Sequence, residues 1–236
     1  MSKSFQIVTV ADREPKEPWY KYREFLASCR KFGHEPVVLG WGQPFKGLGT
    51  KPRTLLQAIN SGVVNADAIL FCDAFDVLFA DNPEHLVGYA PDSIIFNAEK
   101  SCFPNAALAE LHPPSSTPWR YLNSGLSIGS LDSYVKFLTA MDALNLPEDV
   151  VGIPGKPNIH HNDQGLIMEM FVSGKHPLSL DTRCDIFQTL HCTTETELDF
   201  SGTHIRNTVT DTFPVGFHAN GDKLSPLARA VYSRLA

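Results

Sequence analysis

The chain has 236 residues, 43% of them hydrophobic and 19% charged, with 16 glycines and 17 prolines spread along it. That balance is ordinary for a globular domain with a sizeable core and sets aside disorder, collagen-like repeats and coiled coil. Twenty basic against 26 acidic residues leave a formal charge of −6, so no overall basic excess advertises a nucleic-acid or anionic-membrane surface.

The elements follow from hydrophobic periodicity. Phe5 to Val10 (FQIVTV) is a β-branched strand, and a polar loop from Ala11 to Pro18 follows it. Tyr22, Phe25, Leu26, Cys29 and Phe32 then recur at helical spacing within Trp19 to Phe32. Pro36 to Leu39 is a second short strand, the glycine-bearing stretch Gly40 to Gly49 a loop, and Lys51 to Ser61 a helix with Leu55, Leu56 and Ile59 on one stripe. Ala68 to Cys72 (AILFC) is a continuous apolar run, as expected of a central strand covered on both faces. Strand, helix, strand, helix, strand implies parallel crossovers.

Beyond Asp81 the pattern loosens. Ser93 to Asn97 is a strand candidate, Pro104 to Pro118 an irregular surface segment, and Leu126 to Ile128 an extended one. Ser130 is a candidate N-cap for a helix that buries Tyr134, Phe137, Leu138 and Met141. A Pro/Gly-rich loop from Leu146 to Pro157 precedes a helix near Asp163 to Val172. Short strands near Leu178 to Leu180, His204 to Arg206 and Val215 to His218 lead to a terminal helix from about Ser225. No repeat or linker divides the chain, so residues 1–236 read as one α/β domain. Its architecture is expected to be a Rossmann-like, mostly parallel central sheet with helices on both faces and an embellished C-terminal half.

The start, Met1 to Gln6, lacks the apolar stretch of a secretory signal, and no apolar run approaches membrane-spanning length. Five cysteines, Cys29, Cys72, Cys102, Cys184 and Cys192, are odd in number and lack Cys-x-x-Cys spacing. They read as buried reduced thiols, which with the missing signal points to a cytoplasmic enzyme without membrane insertion. Nothing in the chain bears on oligomeric state.

The most informative stretch is Phe71-Cys72-Asp73-Ala74-Phe75-Asp76-Val77-Leu78-Phe79. A buried strand ending in two carboxylates three positions apart puts them at the carboxyl edge of a parallel sheet, where open α/β proteins bind ligands. Two acids there call for a cation, and a divalent ion held by Asp73 and Asp76 can bridge to the oxygens of a diphosphate. The plainer reading makes Asp73 a turn cap and Asp76 a solvated acid. His218, where a strand opens into a Gly-containing loop, is either a hydrogen-bonded loop residue or a nitrogen ligand for a Mn2+-like ion. The chain has no Walker lysine loop and no Gly-x-Gly-x-x-Gly after its first strand. Nucleotide-sugar transfer is therefore the leading class.

The blocks FCDAFDVLF, FNAEKSCFP (Phe96 to Pro104), YLNSGLSIG (Tyr121 to Gly129), NDQ (Asn162 to Gln164), CDIFQTL (Cys184 to Leu190) and HANGDK (His218 to Lys223) occur in an order that resembles the glycosyltransferase domain of the procollagen lysyl hydroxylase and glycosyltransferase family. The resemblance covers nearly the whole chain and implies the transferase module alone. It implies a GT-A fold, a UDP-sugar donor and Mn2+ or Mg2+ held by Asp73, Asp76 and His218. Lys51 and Lys223 match lysines near the nucleotide phosphates, although the loop before Lys223 looks one residue shorter. A solvated role is open for both.

Thr9 and Val10 match the segment bordering the nucleotide, with strand packing as the alternative. Phe75 stands in place of a tyrosine at the uridine, and Asn220 and Gly221 belong to the donor-side loop. Asn123 and Asp163 are the candidates for catalysis. Asn123, with Ser124 and Gly125, either approaches the sugar or builds a turn. Asp163 either caps its helix or orients the acceptor hydroxyl and accepts its proton.

Three departures, Phe103 for a tryptophan, Leu126 for a glycine and His160-His161-Asn162-Asp163 for a longer acidic run, are expected to border the acceptor. The resemblance points to hydroxylysine or galactosyl-hydroxylysine of a collagen-like protein as acceptor, with a glycan or small molecule as further choices. A 5-hydroxymethylated base of DNA is the alternative, through a local basic rim of Arg13, Lys16, Lys46 and Arg120. A silent nucleotide-sugar or glycan-binding module is the other.

Overall fold

The computed structural model describes residues 3–16, 19–89, 93–142, 163–221 and 223–235. Its main sheet has six strands: β1 (Phe5–Val10), β2 (Val37–Leu39), β3 (Ala68–Asp73), β5 (Ile94–Glu99), β6 (Tyr121–Ser130) and β7 (Leu178–Asp181). They lie in the order β2-β1-β3-β6-β5-β7. β1 runs parallel to β2 and β3, and β7 parallel to β5, while β6 is antiparallel to both of its neighbours. A three-stranded sheet of β4 (Val77–Phe79), β11 (Gly216–His218) and β8 (Phe187–Thr189) and a small pair of β9 (Leu198–Asp199) and β10 (Arg206–Asn207) complete it.

Alternate strand residues sort the core into two layers. Ile7 and Leu70 share one cluster with Tyr22, Phe25 and Cys29 of α1 (Tyr22–Lys31). Val8 and Ile69 share the other with α2 (Thr50–Asn60), α3 (Leu131–Asp142) and α4 (Asp163–Val172) through Leu55, Phe137, Leu138 and Met168. Phe25, Ile69 and Leu70 are fully covered, and each such side chain contributes about 1.5–3 kcal/mol of transfer free energy. α5 (Pro226–Leu235) closes the far side of the three-stranded sheet, packing Leu227 and Val231 against Leu78 and Phe217.

The helix boundaries agree with the periodicity to within a few residues, and Ser130 accepts the Ser133 amide as the N-cap of α3. Four expectations change. Asn123, Ser124 and Gly125 build no turn: β6 begins at Tyr121, and a register shift opposite Phe96 and Asn97 absorbs the irregularity. The Pro104 to Pro118 segment contains a single 3-10 helix, Ala106–Leu111, capped by the Asn105 side chain. His204 lies outside β10. The cysteines are all reduced, but Cys102 is half-buried and Cys192 exposed. Burial pushes the Cys29 thiol up to about 12, which keeps it inert. The loop expected from Leu146 to Pro157 lies outside the described residues. Among those described, no helix is long and apolar enough to cross a membrane.

Candidate active site

β3 delivers Asp73 to the carboxyl edge of the sheet, and after the three-residue bend Ala74-Phe75-Asp76 the chain leaves the sheet as β4. β4 pairs antiparallel with β11, Val77 opposite His218, and the Ala219 amide donates to the Asp76 carbonyl at 2.8 Å. This pairing returns a residue 142 positions away in sequence to the side of Asp76. His218 Nε2 lies 3.5 Å from Asp76 Oδ1 and 3.9 Å from Asp73 Oδ2. One ligand atom from each of the three residues falls within 4.8 Å of the others.

The orientation of the imidazole is set from behind. His218 Nδ1 faces Asn123 Oδ1 at 2.9 Å, and the same oxygen accepts the Gly125 amide at 3.0 Å. That oxygen is an acceptor, so Nδ1 carries a ring proton and Nε2 is the nitrogen turned to the aspartates. Metal-ligating histidines are oriented in this way. Asn123 Nδ2 in turn donates to Glu99 Oε1 at 3.2 Å. Two carboxylate oxygens and one imidazole nitrogen on a shared centre suit a divalent ion of the Mg2+ or Mn2+ kind.

Both lysines are in the site. Lys51 Nζ lies 2.9 Å from Asp73 Oδ1 and 3.0 Å from Asp163 Oδ2. Burial opposes its charge, but Asp163 and Asp73 outweigh that and hold it well above the usual lysine range. Lys223 Nζ pairs with Asp76 Oδ2. Burial also opposes the Asp76 charge, but His218 and Lys223 hold its carboxyl well below the usual range.

Of these groups, Lys51, Asp73, Asp76 and Lys223 line a cavity of about 450 Å3, together with Val10, Asp12, Arg13, Tyr20, Phe45 and Phe75. The size is that of a small-molecule or cofactor site. Phe75 and Tyr20 stand 5.3 Å apart between ring centroids on its wall.

Other expected residues are placed differently. The Thr9 side chain is fully buried and its hydroxyl donates to the Cys72 carbonyl at 2.7 Å, so it joins β1 to β3 and does not face the cavity. Asn220 donates to Glu99 Oε2 at 2.8 Å and accepts the His191 amide at 3.1 Å. Gly221 has φ +78°, and a Cβ there would lie 2.4 Å from His191 Nδ1. Neither lines the cavity; they shape the chain before Lys223. Asn123 lies behind His218, and Asp163 Oδ1 accepts the Gln164 amide at 2.9 Å while Oδ2 holds Lys51. Leu126 is a core residue packed with Val77 and Phe187, so it borders no cleft, whereas Phe103 is 55% exposed. His160, His161 and Asn162 lie outside the described residues.

Glu99 is the residue that motif reading missed. It is 2% exposed at the end of β5 and accepts from Asn123, Gln164 Nε2 at 2.8 Å and Asn220. Burial raises its carboxyl to about 7 against the opposing pull of these donors and of His218. The available signal was a lone acid closing the apolar run Ile94–Glu99.

A glycosyltransferase involved in the glycosylation of the major capsid of PBCV-1 superposes over 97% of this chain and 96% of its own, with a TM-score of 0.55 and 13% identity. The fold is therefore that of a GT-A-type glycosyltransferase. The family model described as the PLOD GT domain matches residues 1–230. Human procollagen-lysine,2-oxoglutarate 5-dioxygenase 1 is 31% identical over 91% of this chain and 30% of its own length. Rat multifunctional procollagen lysine hydroxylase and glycosyltransferase LH3 is 29% identical over 91% and 29% respectively. The chain belongs to the PLOD GT domain family of glycosyltransferases and spans about a third of the length of these relatives.

Proposed function

We propose that the protein transfers a hexose from a UDP-sugar to an acceptor hydroxyl, with a divalent cation, Mn2+ or Mg2+, held by Asp73, Asp76 and His218. The observation that carries this reading is the convergence of those three side chains, two of which, Asp73 and Asp76, line a nucleotide-sized cavity. When bound there, the cation supplies Lewis-acid compensation of the charge that develops on the departing diphosphate. Phe75 and Tyr20 offer an aromatic wall to the base, and Val10 closes the cavity at the end of β1. Lys51 and Lys223 add positive charge beside the same floor. Asn123 acts as a positioning residue through His218.

Asp163 opens α4 with Oδ2 paired to Lys51 and Oδ1 accepting the Gln164 amide. Its role in this reading is to orient the acceptor hydroxyl. The relatives' names connect that acceptor to procollagen lysine, and we assign hydroxylysine or galactosyl-hydroxylysine of a collagen-like chain. A DNA acceptor gains no support from two residues of the basic rim. Arg13 pairs with Asp12, and Arg120 donates to the carbonyls of His112 and Pro113.

The test is UDP release and label transfer from UDP-sugars to hydroxylysyl peptides. Asp76→Asn and His218→Ala are expected to lose at least about 100-fold in turnover while staying folded, and chelator is expected to silence the unaltered protein. Full activity in chelator refutes the metal assignment, and UDP binding with no turnover on any acceptor or water favours a silent binding module.

A further inference from the structure

The two candidate ligand carboxylates are divided in the same way. Asp73 gives Oδ1 to Lys51 and turns Oδ2 toward His218 Nε2. Asp76 gives Oδ2 to Lys223 and turns Oδ1 toward the same nitrogen. Each therefore has one oxygen committed to an ammonium and one facing the centre, so neither can close on a cation with both oxygens while its lysine stays in place. The charge count follows the same pattern. Three carboxylates, Asp73, Asp76 and Asp163, contact two ammoniums, leaving a single net negative charge. A divalent ion entering alone turns that into a net positive charge in a largely buried site, which is costly. A diphosphate entering with it restores the balance.

We propose that Lys51 and Lys223 make the cation site conditional on the nucleotide: they hold the outer oxygens of the two ligand carboxylates and oppose a lone cation, so that cation and diphosphate load together. The inference rests on the metal-centre reading above and goes beyond it, because it assigns the lysines to the carboxylates rather than only to the phosphates. They act as positioning residues. Loading by diphosphate favours the nucleotide-bound ion over free divalent ions competing for the same acids, and it links cation affinity to nucleotide affinity reciprocally.

The experiment is a Mn2+ titration of the full chain, followed by the electron paramagnetic resonance signal of the free aqua ion, with and without UDP. It is run on the unaltered protein, Lys223→Met and Lys51→Met. Lys223 lies on a partly exposed stretch, so its variant is the one expected to fold without difficulty, and Lys51→Met is the independent repeat. UDP is expected to tighten Mn2+ binding to the unaltered protein by about tenfold or more. Each variant is expected to bind Mn2+ alone about tenfold more tightly than the unaltered protein and to lose most of the UDP enhancement. Variants that bind Mn2+ alone as weakly as the unaltered protein, or more weakly, overturn the inference and leave the metal centre standing. An unaltered protein that takes up no Mn2+ in either condition overturns both.

Discussion

His218 is a ligand candidate only because its neighbours make room for it and aim it. Gly125 supplies the room: a Cβ at that position would lie 2.0 Å from His218 Cε1 and 2.5 Å from Nδ1. Asn123 supplies the aim, through the 2.9 Å bond that leaves Nε2 free for a cation. Gly125→Ala must therefore displace the imidazole even though the substitution is small. It is expected to reduce Mn2+ affinity at least about tenfold and transfer further still, with the far-ultraviolet circular dichroism unchanged, since disturbing the groups that orient a metal-ligating histidine costs about 10- to 100-fold. Mn2+ affinity equal to that of the unaltered protein contradicts this account of the glycine. The Asp73 and Asp76 pair was legible in the sequence as two acids closing a buried apolar strand, a pattern that fits a turn cap and a solvated acid as well as a cation site until the family motifs are set beside it. The supporting residues were less so. Small polar residues such as Asn123 and Gly125 look like turn formers until the partner strand and its register shift are seen.

At the scale of elements, Glu99 is the joint. Its carboxylate gathers Asn123 from β6, Gln164 from α4 and Asn220 just past β11, so a single buried charge ties three elements to β5. Burial holds the folded carboxyl at about 7, above the ordinary glutamate value of 4.5. Between those limits the folded state binds more protons than the unfolded chain, so this group's contribution is fully present below about 4.5 and is lost as pH rises through about 7. The full swing is up to about 3 kcal/mol. Urea unfolding of the unaltered protein and Glu99→Gln between about pH 5 and about pH 8 is expected to show a decline in the former that the latter lacks. Parallel curves contradict the assignment. Helices and long strands announced themselves by period. The three-residue strands β4 and β8 did not, because their stability comes from pairing with β11 and from burial rather than from local pattern.

Taken as a whole, the molecule is a GT-A-type sheet whose C-terminal third supplies what its N-terminal half lacks. β3 brings two acids to the sheet edge, and the three-stranded sheet built with β8 and β11 brings an imidazole to them. The order of short motifs along the chain carried the family resemblance. The geometry of their meeting depended on contacts spanning more than half the sequence, which no local pattern encodes. The acceptor side is less defined by pattern, since Leu126, expected to border it, proved to be core. The central claim is that Asp73, Asp76 and His218 hold one cation against a diphosphate. It is tested most directly by a crystal grown with Mn2+ and UDP, with anomalous scattering collected at the manganese edge. The account predicts one strong peak bounded by a single oxygen from each aspartate and by His218 Nε2, with UDP phosphate oxygens completing the sphere. A manganese peak elsewhere, or UDP bound with those three side chains turned away from it, would contradict it.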